Sequence, residues 1–443
     1  MSWLDQIIPE TIKRRLEDSG VSVKGKFSSI CIYCRGGRNL CGKAVCPITM
    51  KAAAMIKVSK PINSNLVSGS SPPSVFVGRF GYPKVSIGPM VPPISGDTVV
   101  MDLPERWTGI SIEQIIDFRY SLLRGKTQAK VTDVRQGNRV IESLHELAMS
   151  SHSVDSEVEF TKRPSGTIYL DDHTQPFGPS APMKSFRLQN VSVNRRIEKL
   201  YYDTDLLSRD AVIELYSWGV EVSKIQRAFS VGMFGLERNR KLVPTRWSIT
   251  AVDGIISSDL ISKVKAYESV DKFHLYNYTY MNNVFAALLF PGNWSYEWME
   301  AWFPGTFWNQ TLPEADVGGD FENYWGRTAY PSIGGCYFSA RLSVAEALER
   351  MRRQATALVL REIHPEFPLP LGVWFVRECV RNLFRQRPTL YDDLESALKG
   401  LSNVLTVPLN RWIPKSEILK SSIFQRKITD FWKHTRSSPT MRT

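Results

Sequence analysis

Four of the six cysteines fall within sixteen residues, and this clustering constrains the N-terminal segment more tightly than any other feature of the chain. The spacing is Cys31-x2-Cys34-x6-Cys41-x4-Cys46. A Cys-x2-Cys bend aims two thiolates at one point, and two more complete the tetrahedron that Zn²⁺ prefers. Gly36, Gly37 and Gly42 lie between the ligands, where tight turns around an ion need positive φ. Cys336 and Cys379 stand alone, so the distribution is that of a metal site in a reducing compartment, not a disulfide framework. Zinc is the expected ion. An iron–sulfur cluster is the alternative, because Cys46-Pro47 resembles the ending of cluster-binding motifs. Arg35, Arg38 and Lys43 make the knuckle basic. It either staples a small subdomain or contacts nucleic acid.

The net charge of +12 is unevenly placed. Residues 1–60 carry eleven Lys/Arg against four acids, and residues 411–443 carry eight against Glu417 and Asp430, which leaves the 350 residues between them at −1. Charge concentrated at both ends points to polyanion contact there, or to solubility alone. With 43% hydrophobic and 23% charged residues, the body is that of an ordinary globular protein, and its length calls for two or three domains. The longest apolar run, 284–290, is broken by Pro291 and is far too short to span a membrane. The first residues lack a secretory pattern, so a cytoplasmic, nucleoid-associated protein is expected.

Near the C-terminus, Gln425-x-x-Ile428-x-x-Phe431-Trp432 sits in a basic, Ser-rich stretch. In one turn of 3₁₀ helix, residues i and i+3 eclipse, so Ile428 and Phe431 project together. Trp432 completes a three-pronged apolar plug, and Gln425 can hydrogen-bond at its rim. This is the pattern of a peptide that docks on a DNA sliding clamp.

Between the ends the reading is α+β: a four-Cys knuckle in 1–60, a mixed α/β domain in 61–250, a helix-richer domain in 251–412 and a disordered tail in 413–443. Residues 52–56 read as a short helix, and 75–77, 84–87 and 97–101 as strands. Ser111 and Gln114 form a capping box opening a helix whose stripe is Ile112, Ile115, Ile116, Leu122 and Leu123, with Gly125 as its left-handed cap. A second capping box, Ser343 with Glu346, opens a helix that ends near His364 because Pro365 follows. Glu346–Arg350 and Glu349–Arg353 pair on its outer face, and another helix covers 371–385.

Weaker constellations remain. Arg377, Arg381 and Arg385 recur every four residues on one helix face, which either tracks phosphates or is salt-bridged. Trp294, Trp298 and Trp302 share that period, and a buried stripe is favoured over base stacking. Asp172, His173, Asp203, Asp205, Arg246 and Asp253 lie in polar segments able to bind a metal or phosphate, or to do acid–base work if they converge. Gly78-Arg79-Phe80-Gly81-Tyr82-Pro83 either approaches a phosphate or marks a hairpin.

The cysteine module, the stretch 75–85, the run Asp172-His-Thr-Gln-Pro-Phe-Gly-Pro-Ser-Ala-Pro and the run Arg240-Lys-Leu-Val-Pro-Thr-Arg-Trp-Ser-Ile-Thr-Ala-Val-Asp together resemble the archaeal Nre DNA repair family. The resemblance extends from about Lys26 to the tail. It implies a role in the DNA damage response and binding to the archaeal clamp, PCNA, with Gln425, Ile428, Phe431 and Trp432 matching the clamp peptide position by position. It carries no catalytic residue. Three functions follow: a clamp-tethered factor binding damaged or nicked DNA, an enzyme acting on DNA ends or nucleotide adducts, or a pure adaptor.

Overall fold

A computed structural model of the chain describes residues 22–25, 34, 38, 40, 46–59, 64–170, 177–309, 312–367 and 370–424. Cys31, Cys41, Arg35, Lys43, Asp172, His173 and the clamp-type peptide Gln425–Ile428–Phe431–Trp432 lie outside them.

Two six-stranded sheets carry the molecule. The first comprises β2 (Leu66–Ser71), β3 (Val75–Val77), β4 (Lys84–Val91), β5 (Leu123–Lys130), β6 (Val154–Phe160) and β8 (Ser180–Gln189), in the order β2-β6-β8-β5-β4-β3. A separate parallel pair joins β1 (Ser22–Gly25) to β7 (Thr167–Leu170). The second sheet comprises β9 (Phe273–Tyr280), β10 (Asn283–Phe290), β11 (Ser295–Trp302), β12 (Asp316–Glu322), β13 (Thr356–Ile363) and β14 (Thr389–Tyr391), in the order β12-β11-β13-β10-β9-β14. Helices α1 (Pro47–Ser59), α2 (Ile112–Ser121), α3 (Arg139–Met149), α4 (Arg195–Tyr202), α5 (Ser208–Ser217), α6 (Val222–Ser230), α7 (Thr245–Val264), α8 (Cys336–Met351) and α9 (Val373–Leu383) complete the main core. Beyond them lie α10 (Leu394–Val404), α11 (Leu409–Trp412) and α12 (Glu417–Phe424).

The apolar run 284–290 is the middle of the second sheet. Alternate residues of β10 point into different cores. Phe285, Ala287 and Leu289 join a large core shared with the first sheet, while Ala286, Leu288 and Phe290 join a smaller one under α10 and α12. A strand buried on both faces needs apolar residues at every position, which explains the continuous run. The turn entering it uses Met281 (φ 47°) and Asn282 (φ 54°), the left-handed pair of a two-residue hairpin. The tryptophan repeat runs from the residue before β11 along that strand, not on a helix: spacing of four is also an even number, and Trp294 and Trp298 are both buried.

Several local expectations are corrected. Ser111 does cap α2, accepting from the Gln114 N–H at 3.2 Å, but Leu122 ends that helix in an extended conformation and Gly125 belongs to β5. Ser343 is interior to α8; its hydroxyl donates to the Ser339 and Arg377 carbonyls, so no helix begins there, and 356–363 is strand. Glu346 pairs with Arg381, not with Arg350. Residues 99–102 form a 3₁₀ turn, and the ordered chain continues past Pro414 into α12, whose Ile418 and Leu419 are buried. Residue 250 falls within α7, and the large core runs unbroken from Met55 through Val252 to Phe375.

Gly125 has a different task from capping. A Cβ on its neighbour Gly88 would stand 1.7 Å from the Gly125 carbonyl oxygen, so β4 and β5 approach as only glycine permits. Gly88→Ala should cost about 2–4 kcal/mol in denaturant unfolding; an unchanged midpoint would contradict this packing.

Candidate functional site

The densest polar cluster in the described residues is buried where α6, α7, α8 and α9 meet. Arg377 on α9 is fully buried, and its Nη1 donates to Asp253 Oδ1 on α7 at 3.1 Å. Its Nε donates to Glu378 Oε1 at 3.2 Å, and Nη2 stands 3.7 Å from Glu105 Oε1 without a hydrogen-bond partner. Asp253 accepts two further bonds, from Gln226 Nε2 (2.8 Å) and Ser339 Oγ (2.6 Å). Glu105, in a short 3₁₀ turn of the N-terminal half, accepts from the Ser223 N–H (2.9 Å) and hydroxyl (2.8 Å). One turn further along α9, Arg381 grips Glu346 through Nε (2.8 Å) and Nη2 (2.6 Å), and reaches Glu378 through Nη1 (2.9 Å). Tyr216 OH donates to Glu346 at 3.0 Å.

Beside these groups opens a cleft of about 240 Å³, lined by Glu105, Glu346, Glu378, Arg350, Arg381 and Arg385 among others. Four carboxylates, Asp253, Glu105, Glu346 and Glu378, share the buried guanidinium of Arg377 and the partly buried one of Arg381, so the carboxyls differ in character. Burial pushes Asp253 and Glu378 above the ordinary range despite the arginines beside them. Burial also acts on Glu105, yet Arg377, Arg381 and the Ser223 N–H together hold it below the usual value. Two neighbouring carboxyls pushed in opposite directions form the arrangement from which acid–base pairs are built.

The sequence-predicted residues divide accordingly. Arg377 and Arg381 commit their guanidinium groups to carboxylates, which leaves Arg385 as the solvent-exposed member of the row. Asp253 joins Arg377, whereas Arg246 is exposed in the first turn of α7. Asp203 caps its own loop by accepting from the Leu206 N–H (3.1 Å), and Asp205 is exposed beside it. Among the described residues these four therefore form no common pocket. Arg38 is exposed, Cys34 and Cys46 are both buried, and Cys46 lies immediately before α1, its carbonyl accepting from the Met50 N–H at 3.0 Å. No group of three or more potential metal ligands occurs among the described residues. Glu105, Gln226 and Ser339 were not legible as site residues; none carries a spacing signal, and only the tertiary fold brings them to Asp253 and Arg377.

Removing one partner of a buried pair strands the other charge. Arg377→Met should therefore cost about 3–5 kcal/mol, while Arg385→Ala should stay within about 0.5 kcal/mol of the parent. Thermal unfolding of both variants checks this ordering, and equal effects would overturn it.

Comparison with known proteins matches the model "Archaeal Nre, N-terminal" to residues 40–309 and "Archaeal Nre, C-terminal" to residues 322–431. The chain is 45% identical over 402 residues to the DNA repair protein NreB of Archaeoglobus fulgidus, covering 90% of this chain and 99% of that protein. It is 38% identical to NreA of the same organism, over 84% of this chain and 93% of that one. To NreA of Haloferax volcanii it is 34% identical, over 80% and 86%. No solved structure matches. The two matched models together take in the first sheet, the second sheet apart from most of β12, and the buried cluster, and the chain belongs to the archaeal Nre family.

Proposed function

We propose that this protein is a DNA repair factor, held at its site of action by the sliding clamp PCNA through Gln425, Ile428, Phe431 and Trp432, and acting on damaged or nicked DNA. The observation that carries the reading is end-to-end similarity to a protein named for DNA repair, over 99% of that protein's length. The way the chain leaves the body supports the clamp element. Buried Glu297 on β11 accepts from the N–H groups of Glu417 (2.8 Å) and Ile418 (3.0 Å), fixing the first turn of α12. That helix ends at Phe424, which is exposed, and Gln425 follows directly. The peptide therefore begins one residue beyond a docked helix.

The four cysteines Cys31, Cys34, Cys41 and Cys46 would hold zinc, with an iron–sulfur cluster as the alternative. The donor set is all thiolate, and such a site contributes its binding energy to the fold of the knuckle. Metal analysis with visible absorbance distinguishes the two. A second reading, an enzyme processing DNA ends or nucleotide adducts, draws on the oppositely shifted Glu105 and Glu378 at the cleft. Product from nicked, gapped, adenylated or abasic DNA that disappears in Glu378→Gln would establish it.

For the tail, Phe431→Ala combined with Trp432→Ala should abolish clamp binding in a pull-down while leaving thermal stability and metal content unchanged. Undiminished binding by that double variant would place the clamp contact elsewhere.

A further inference from the structure

Three exposed aromatic side chains gather at one place, the tip of the β3–β4 hairpin and the adjoining first turn of α7. Phe80 is 82% exposed, Tyr82 50% and Trp247 46%. The Tyr82 and Trp247 ring centroids are 5.3 Å apart, and the Arg79 guanidinium lies 5.0 Å from the Phe80 ring centre. Isolated exposed hydrophobics need no explanation, but a cluster of aromatic rings left uncovered marks a binding surface.

The surface is held in shape. Val77 N–H donates to Thr245 Oγ1 at 2.9 Å, tying the hairpin to the start of α7. Within the tip, the Lys84 N–H donates to the Gly81 carbonyl at 2.9 Å, and Gly81 takes φ +82° with no room for a Cβ beside the Lys84 carbonyl. The Val131 N–H donates to the Pro83 carbonyl, and the Leu242 N–H to the Val131 carbonyl, both at 2.9 Å. The end of β5 and the segment leading into α7 thus close up around the tip.

Its exposed charge is mainly basic, with Asp133 as the acid beside it, its carboxylate accepting from the Lys130 N–H at 2.8 Å. Arg79, Lys84, Lys130 and Arg246 are exposed, and none forms an ion pair with a described carboxylate. Lys84 and Lys130 are direct cross-strand partners in the β4–β5 ladder. Like charges placed opposite one another on a sheet repel and lower stability. A polyanion laid across them removes that repulsion.

We propose that this surface binds single-stranded DNA, including the unpaired stretch of a gap: Phe80, Tyr82 and Trp247 stack on bases while Arg79, Lys84, Lys130 and Arg246 contact phosphates. Cations alone would serve duplex DNA, whose bases are hidden in the stack. Exposed ring faces beside those cations fit bases that are already unstacked. The inference rests on the repair reading and names the form of DNA recognised.

The test is fluorescence anisotropy of the full chain with a labelled single strand, a gapped duplex and an intact duplex. Phe80→Ala with Trp247→Ala should weaken single-strand and gap binding by about tenfold or more, with intact-duplex binding unchanged. Lys84→Ala with Lys130→Ala should lower the slope of log affinity against log salt by about 1–2. Both positions are exposed, so thermal melting should match the parent and exclude misfolding as a cause. If the parent binds the single strand and the aromatic double variant binds it equally well, this surface is wrong while the repair reading stands. If the parent binds none of the three DNAs, DNA contact itself fails. If the aromatic variant loses clamp binding but keeps DNA binding, the surface serves a protein and the proposal is overturned.

Discussion

The buried pair between Arg377 and Asp253 is the interaction on which the architecture turns. It joins α9 to α7, and through Glu105 and Ser223 it reaches the N-terminal half, while Ser339 brings in α8 and Gln226 brings in α6. Each of these elements packs by apolar contacts as well, but apolar contacts tolerate sliding. A guanidinium enclosed by three carboxylates does not, because any shift leaves a charge buried without its partner. Both sheets contribute to one large core, and α7 runs through residue 250.

That arrangement has a functional consequence. The exposed hairpin tip and the first turn of α7 lie at one end of the helix whose middle holds Asp253, so the aromatic and basic side chains stand on a rigid element. At the other end of the chain, Glu297 clamps α12 against the second sheet, so the peptide beginning at Gln425 leaves from a defined point. A rigid body carrying the proposed surface for unpaired DNA, with the proposed clamp peptide just beyond its last docked helix, would suit a factor that stays at the clamp while it engages a gap.

How much of this was legible depended on whether the signal was local. The Ser111 cap, the helix over 371–385 and the hairpin at Gly78–Pro83 rest on neighbouring residues, and each formed. Period-based readings went astray where two structures share a spacing. The tryptophans at intervals of four satisfy a strand as well as a helix, and the Ser343–Glu346 box lies within a helix that had begun at Cys336. The arginine row was visible, but its partners were not. Glu105 is more than 270 residues from Arg377 in sequence, and nothing around Pro104 announces a buried carboxylate. Asp253 was singled out with Asp203 and Asp205 as one polar set, yet burial separates it from them, and burial is a property of the whole fold.

In the proposed arrangement, this family member engages unpaired DNA with the hairpin tip while its tail holds the clamp. Photocrosslinking tests it directly, with clamp-loaded DNA carrying 4-thiothymidine in a short gap, followed by mass spectrometric mapping of the attached peptides. The predicted result is crosslinks on the peptides containing Phe80, Tyr82 and Trp247, lost when Phe431 and Trp432 are both replaced by alanine at limiting protein. Crosslinks confined to other regions, with none at the hairpin tip or the start of α7, would contradict it.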